Sequence, residues 1–210
     1  MTAGRVVVLR HGRTGHNLRH IWQGQLDVPL DDVGTAQAKA AAEVLAPLRP
    51  TAVVSSDLVR AAATADAVAA AAGLPVERDP RLREIDVGRW EGLTRDEIAA
   101  AGDADLLAAW RRGDDVPLGG AERPSDLGRR GAVALSEHAA TVDGGTLLVV
   151  AHGALLRAAV LTLLGVEQPR WTMLAGLPNC GWGVLEPGDP AWRLVGWGLT
   201  APDAPSGQPG

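Results

Sequence analysis

The sequence predicts an α/β three-layer sandwich: a mainly parallel central sheet, helices on both faces and a small cap insertion. Three observations carry this. Short β-branched apolar runs recur far apart in the chain, at Arg5–Arg10, 52–55 and Thr146–Ala151. Each is followed by a helix-forming stretch, and strands alternating with helices form parallel sheets covered on both sides. The first run is ended by Gly12 and the third is followed by His152-Gly153, while the second runs into Ser56-Asp57.

In chain order, Arg5-Val6-Val7-Val8-Leu9-Arg10 reads as a buried strand ended by Gly12. Residues 33–48 place Ala36, Ala40 and Val44 four apart, an amphipathic helix stopped by Pro47 and Pro50. Residues 52–55 form a second strand, and Ser56 or Asp57 is positioned to cap the helix that begins near Leu58. That helix is alanine-rich and ends at Gly73. Thr146–Ala151 is a third strand, with a helix over 154–164, and 181–185 and 193–198 add strands. Residues 92–120 are weakly patterned, with helical pieces near 96–101 and 105–111, and are read as the cap. One domain is expected over 1–200, with a disordered Pro/Gly/Ser-rich tail over 201–210.

Composition narrows the function. The 210 residues are 46% hydrophobic and 21% charged, with seven Trp but neither Tyr nor Phe, which excludes a tyrosine hydroxyl from the chemistry. A net charge of −5 offers no general basic field, so no nucleic-acid partner is expected and any anion site must be local. A single cysteine, Cys180, excludes an internal disulfide framework and multi-cysteine metal sites. No apolar stretch reaches the length of a membrane span or secretion signal, so a cytoplasmic protein with no membrane partner is expected.

In parallel sheets, ligands sit beyond the carboxyl ends of the strands. The strand ends here carry Arg10-His11-Gly12, Ser55-Ser56-Asp57 with Arg60, and His152-Gly153. Two arginines and two histidines should therefore meet at one rim. Two guanidinium forks suit a phosphate oxyanion, at roughly 4 kcal/mol per charge pair before desolvation. Beside them His11 is pushed towards its neutral form and can attack phosphorus, while His152 donates to the phosphoryl oxygens. The leaving oxygen needs a proton, and Glu84, with apolar neighbours, is the candidate acid and then base.

These blocks resemble the histidine phosphatase superfamily, in the branch containing cofactor-dependent phosphoglycerate mutases. The likeness spans about residues 5–198. It rests on Leu9-Arg10-His11-Gly12 with Thr14 and Asn17, Ser55-Ser56-Asp57-Leu58 with Arg60, Leu82 and Glu84, Trp90-Glu91-Gly92, and Val150-Ala151-His152-Gly153 with Arg157. The resemblance implies His11 as the phosphorylated nucleophile, Arg10, Arg60 and His152 as phosphoryl holders, Asn17 as an assistant and Glu84 as proton donor. It implies neither metal nor other cofactor. Gln23-Gly24-Gln25-Leu26-Asp27 and the short insertion look more like phosphatase than mutase members, with a small phosphorylated metabolite, a sugar-acid phosphate, as substrate. Many such relatives pair through a sheet edge, so a homodimer is expected.

Two departures from that pattern stand out. Arg13 occupies a position usually taken by Glu or Gln, and is expected beside the site as a cation for a second anionic group. Gln23, Gly24 and Gly153 are grouped with Arg13 and Asn17 as substrate contacts. The Glu-Ser pair usual before the last helix is broken in Gly119-Gly120-Ala121-Glu122-Arg123-Pro124-Ser125, which leaves Glu122 without a role. Trp90 and Trp110 are expected to bound the substrate mouth. His11, His16 and His20 do not read as metal ligands, because Gly12 and Gly15 break the helix that would align them. Cys180 lacks the arginine six residues on that a cysteine phosphatase needs, since position 186 is Glu. A phosphoglycerate mutase and a non-catalytic phosphate-binding protein are the competing readings.

Overall fold

The computed structural model describes residues 2–189 and 192–202. The tail expected to be disordered lies, from residue 203, outside the described residues. The elements are β1 (Arg5–Arg10), α1 (Gly15–Leu18), α2 (Asp32–Leu45), β2 (Pro50–Ser55), α3 (Val59–Ala72), β3 (Val76–Arg78), α4 (Arg95–Ile98), α5 (Ala104–Arg112), α6 (Pro124–Thr141), β4 (Thr146–Ala151), α7 (Gly153–Leu163), β5 (Trp182–Pro187) and β6 (Trp192–Leu199).

The six strands form one sheet in the order β3-β2-β4-β1-β5-β6. β1, β2, β3 and β4 run parallel, while β5 and β6 are antiparallel additions at one side. β1 and β4 lie side by side in the centre, with Arg10 opposite Ala151, so His11 and His152 leave the sheet at the same level. That register is what brings residues 141 positions apart in sequence to one rim.

The period-2 alternation of side chains divides the core. Val6, Val8, Leu147 and Val149 face α6 and α7, whereas Val7, Leu9, Leu148 and Val150 face α2 and α3. Each valine or leucine so buried contributes about 1.5–3 kcal/mol, which makes β1 and β4 a rigid base for the site. Continuous apolar runs are required because both faces are covered.

The structure departs from the sequence expectations in four places. The buried face of α2 is Gly34, Gln37, Ala38, Ala41, Ala42 and Leu45, not the Ala36–Ala40–Val44 stripe. Alanine contrasts little with its neighbours in hydrophobicity, and Gln37 is buried because its Oε1 accepts from the Arg13 N–H at 2.9 Å. Neither Ser56 nor Asp57 caps α3. Its N-cap is Leu58, and Asp27 Oδ1 accepts from Val59 N–H at 2.6 Å, while Asp57 accepts two bonds from Arg83. β3 was not anticipated, being only three residues long.

Nor was α6, the longest helix described. Gly128 and Gly131 lower its helix propensity, yet they let it approach its neighbours closely. A Cβ on Gly128 would lie 2.4 Å from the Trp171 ring, and one on Gly131 would lie 2.7 Å from Ala159 on α7. The stretch expected as a cap holds α4, α5 and the short 3-10 turn Leu118–Gly120, and of it Arg95, at the start of α4, lines the cavity at the carboxyl rim of the sheet.

Candidate active site

A cavity of about 220 Å³ opens at that rim. Seven residues singled out in the sequence line it: Arg10, His11, Asn17, Gln23, Gly24, Arg60 and Glu84. His20, Ile21, Trp22, Ile85, Val87, Arg95 and Ala154 complete the wall.

His11 is 3% exposed. Its Nδ1 lies 2.7 Å from the Gly12 carbonyl, and a carbonyl oxygen can only accept, so Nδ1 carries the hydrogen and Nε2 keeps the lone pair. Burial holds its pKa well below the ordinary imidazole value, with Arg60 and Arg10 adding to the depression and the Gly12 bond opposing it. Desolvation is thus a larger cause than the two cations expected from the sequence.

Arg60 is fully buried at the start of α3. Backbone carbonyls hold it rather than a carboxylate: Nη1 donates to Leu26 O at 2.6 Å and Nη2 to Gly24 O at 2.8 Å. Burial lowers its pKa to about 10, with the charge of Glu84 the first opposing influence. Arg10 donates through Nη1 to Leu177 O at 2.6 Å, and burial likewise lowers its pKa. The Nε atoms of both arginines are buried without a partner. Two buried cations bonded to neutral carbonyls keep unpartnered Nε donors at the rim, their charge only partly offset by Glu84. An anion is the complement.

The carbonyl that Arg60 uses explains Gly24. That residue has φ +50, and a Cβ there would lie 2.4 Å from Glu91 Oε1. The loop can present its carbonyl to the guanidinium only because the position has no side chain.

Glu84 reaches the rim from an irregular segment. Oε1 accepts from Leu155 N–H at 3.0 Å and from Ile85 N–H at 2.9 Å, and Oε2 accepts from Ala154 N–H at 3.2 Å. The carboxyl group therefore sits at the N-terminus of α7, where free backbone donors and the helix dipole favour it.

His152 is placed differently from the expectation. Its ring is fully buried, 5.1 Å from the His11 ring and tilted by 59°, but it does not line the cavity. Nε2 lies 2.9 Å from Ser56 Oγ, and Nδ1 is buried without a partner. Burial, then Arg60, His11 and Arg10, keep it well below the usual imidazole pKa.

Asn17 forms a capping box with Thr14: Thr14 N–H donates to Asn17 Oδ1 at 3.1 Å and Thr14 Oγ1 accepts from Asn17 N–H at 3.1 Å. Gln23 Oε1 lies 3.0 Å from Thr14 Oγ1. Gly153 opens α7 behind Arg10, where a Cβ would lie 3.3 Å from Arg10 Nε, so it gives that guanidinium room rather than lining the cavity. Arg13 does not face the cavity either. Its Nε donates to Asp31 Oδ2 at 2.9 Å, and that ion pair uses the charge expected for a second anionic group.

Trp90 is 1% exposed and Trp110 lines a separate small recess. Trp22 stands at the mouth instead, with its ring edge-on to both, at 5.4 and 4.9 Å. Trp22 and Arg95 were missed as wall residues because their segments show no periodicity, whereas His20, expected at the rim or on the surface, does line the cavity. Among the described residues no group of three or more His, Cys, Asp or Glu is placed to hold a metal ion. Cys180 is buried, and burial pushes its thiol up to about 12.

A neutral imidazole beside two buried guanidinium groups that no carboxylate hydrogen-bonds, at the carboxyl rim of a parallel sheet, defines an α/β protein built to receive an oxyanion against a nitrogen nucleophile. The chain belongs to the histidine phosphatase superfamily, branch 1, whose family model matches residues 6–200.

The chain is 40% identical over 221 residues to a glucosyl-3-phosphoglycerate phosphatase of Mycolicibacterium vanbaalenii, covering 96% of this chain and 97% of the relative. A solved mycobacterial glucosyl-3-phosphoglycerate phosphatase in complex with VO3 superposes with a TM-score of 0.88 at 38% identity, covering 93% of this chain and 99% of that one. A probable phosphoglycerate mutase of Yersinia pestis is 33% identical over 200 residues, covering 92% of this chain and 89% of the relative.

Proposed function

We propose that this protein is a metal-independent phosphomonoester phosphatase that works through a phosphohistidine on His11, with glucosyl-3-phosphoglycerate as its substrate. One observation carries the proposal: His11, kept neutral by burial and tied through Nδ1 to Gly12, stands with a free Nε2 lone pair beside Arg10 and Arg60.

The phosphoryl dianion fills the field of the two arginines, which also spreads the charge that develops on its equatorial oxygens. Nε2 of His11 attacks phosphorus in line. The P–O bond to the substrate breaks, and the leaving oxygen takes a proton from Glu84, releasing an alcohol. Glu84 is then a carboxylate, held by the α7 amides. It accepts a proton from water as that oxygen attacks the phosphohistidine. The P–N bond breaks, inorganic phosphate leaves, and His11 and Glu84 return to their starting states. His152 supports the phosphoryl group from beneath: in the Nε2–H tautomer the ring donates to Ser56 Oγ, and it turns that hydrogen to a phosphoryl oxygen when the group arrives. Asn17 and Gln23 contact the substrate from the cavity wall.

The substrate assignment is supported by the relatives' names and by the mouth. His20 and Arg95 offer basic groups on the cavity wall for the glycerate carboxylate, and Trp22 offers an apolar face for a sugar ring. A phosphoglycerate mutase is the second reading, favoured by the Yersinia relative. A cytoplasmic location and a homodimer belong to the same proposal, and sedimentation would measure the oligomeric state.

The test is acid-labile phosphate on the chain after rapid quenching with glucosyl-3-phosphoglycerate. It should appear in the parent and vanish, with turnover, in His11→Ala. A His11→Ala protein that still hydrolyses phosphomonoesters at the parent rate overturns the mechanism. Interconversion of 2- and 3-phosphoglycerate outpacing phosphate release would assign the mutase.

A further inference from the structure

We infer that Arg130 and Glu122 form a positioning pair that holds Glu84 at the reacting site; this rests on the reading of Glu84 as acid and base. Glu84 lies in a stretch that is neither helix nor strand, between the 3-10 turns Pro80–Leu82 and Gly88–Trp90. No helical or strand ladder fixes the backbone there. One guanidinium from the middle of α6 takes its place. Arg130 Nη1 donates to Arg81 O at 2.8 Å and to Arg83 O at 2.7 Å, and Nη2 donates to Glu84 O at 3.3 Å.

Glu122 holds the other side of the fork. Its Oε1 accepts from Arg130 Nε at 2.9 Å and its Oε2 from Nη2 at 2.8 Å. Glu122 Oε2 also accepts from Asp86 N–H at 3.0 Å, and Glu122 N–H donates to Asp86 O at 3.1 Å. A guanidinium carries five N–H donors in a fixed plane, and the five bonds of Arg130 account for all of them. The pair therefore grips the chain on both sides of Glu84, from Arg81 to Asp86. Both side chains are largely buried, at 23% and 16% exposure, so the bonds are little weakened by water.

The clamp also links the two ends of Glu84. Its carboxyl group is set by the N-terminus of α7, and its backbone by Arg130 of α6 together with Gln25, whose Nε2 donates to Glu84 O at 3.3 Å. These two helices pack tightly through Gly131 and Ala159. When Glu84 gives up its proton and rearranges its bonds, the backbone origin of the side chain stays in register with His11. Neither Arg130 nor Glu122 lines the cavity, so neither acts on substrate directly. Glu122, without a role by sequence, has one here through Arg130. The nearby Ser125 is engaged elsewhere, with Asp115 at 2.7 and 2.9 Å.

The experiment separates proton delivery from general damage by varying the leaving group. kcat/KM reports formation of the phosphohistidine. An alkyl leaving group such as that of 3-phosphoglycerate needs a proton, whereas 2,4-dinitrophenolate leaves without one. Arg130→Lys keeps the charge but loses the planar fork. It is expected to lower kcat/KM for the alkyl ester roughly tenfold or more, and for 2,4-dinitrophenyl phosphate less than about threefold, as weakened general acid catalysis requires. Equal loss on both esters, or no loss on either, overturns the proposal. Should the lysine variant fail to fold, Glu122→Gln decides by the same ratio. Glu84→Gln is run alongside. If it discriminates between the esters and the Arg130 variant does not, the positioning pair alone is wrong. If Glu84→Gln does not discriminate, the acid assignment falls and the pair falls with it.

Discussion

Replacing Arg60 by methionine should abolish most activity while costing the fold less than it costs the reaction. Holding this guanidinium charged in a buried position is unfavourable. Burial lowers its pKa from the ordinary 12.5 to about 10, and at about 1.4 kcal/mol per pH unit that is roughly 3 kcal/mol. Against this stand its bonds to Gly24 O and Leu26 O, worth about 1.5–3 kcal/mol each when a charged group is involved. The two contributions offset in large part, leaving about 0–3 kcal/mol in favour of the arginine, so Arg60→Met should melt within about 10 °C of the parent. Function does not offset in this way. A phosphoryl dianion about 4 Å from the guanidinium gains roughly 4 kcal/mol at an effective dielectric of 20. Losing most of it lowers kcat/KM by a factor of about 100–1000. The assay is kcat/KM on phosphomonoesters together with melting curves with and without orthovanadate. The parent should be stabilised by vanadate and the variant hardly at all. Activity within tenfold of the parent would refute the view that this buried charge exists for the phosphoryl group.

Three further predictions follow from the same geometry. Because burial and the two arginines depress the His11 pKa, log kcat/KM, corrected for substrate ionisation, should show no acid limb at the ordinary value of 6.5; a bend there would contradict a pre-neutralised nucleophile. The sign for stability is the reverse of a salt-bridged histidine. His11 and His152 are neutral when folded and take up protons only when unfolded as the pH falls below 6.5, so stability should decline in that range, and acid melts should show it. Arg13→Ala should leave kcat/KM within about threefold, since its charge is spent on Asp31 outside the cavity; a large KM increase would restore it as a substrate contact.

Much of the fold is legible in the chain because β1, β2 and β4 are buried on both faces, and that requirement writes continuous valine and leucine runs into the sequence. The site is legible for a related reason. Its first members stand directly after those strands, so locating Arg10, His11, Arg60 and His152 needs only the rule for parallel sheets. α6 is not legible, since Gly128 and Gly131 read as breakers until Trp171 and Ala159 are seen against them. The α2 face is misread because alanine marks neither side of a helix strongly.

What the sequence determined by itself is therefore the part governed by local pattern: the strand cores, the alternation with helices and the order of reactive residues at strand ends. The tertiary structure alone decided which way Arg13 turns, that His152 is paired with Ser56, that Trp22 rather than Trp110 stands at the mouth, and that Arg130 and Glu122 grip the Glu84 backbone. The reason is physical. Local periodicity records burial on an element, whereas the partner of a polar side chain is set by whatever another part of the chain brings within 3 Å, and no neighbour in sequence carries that information.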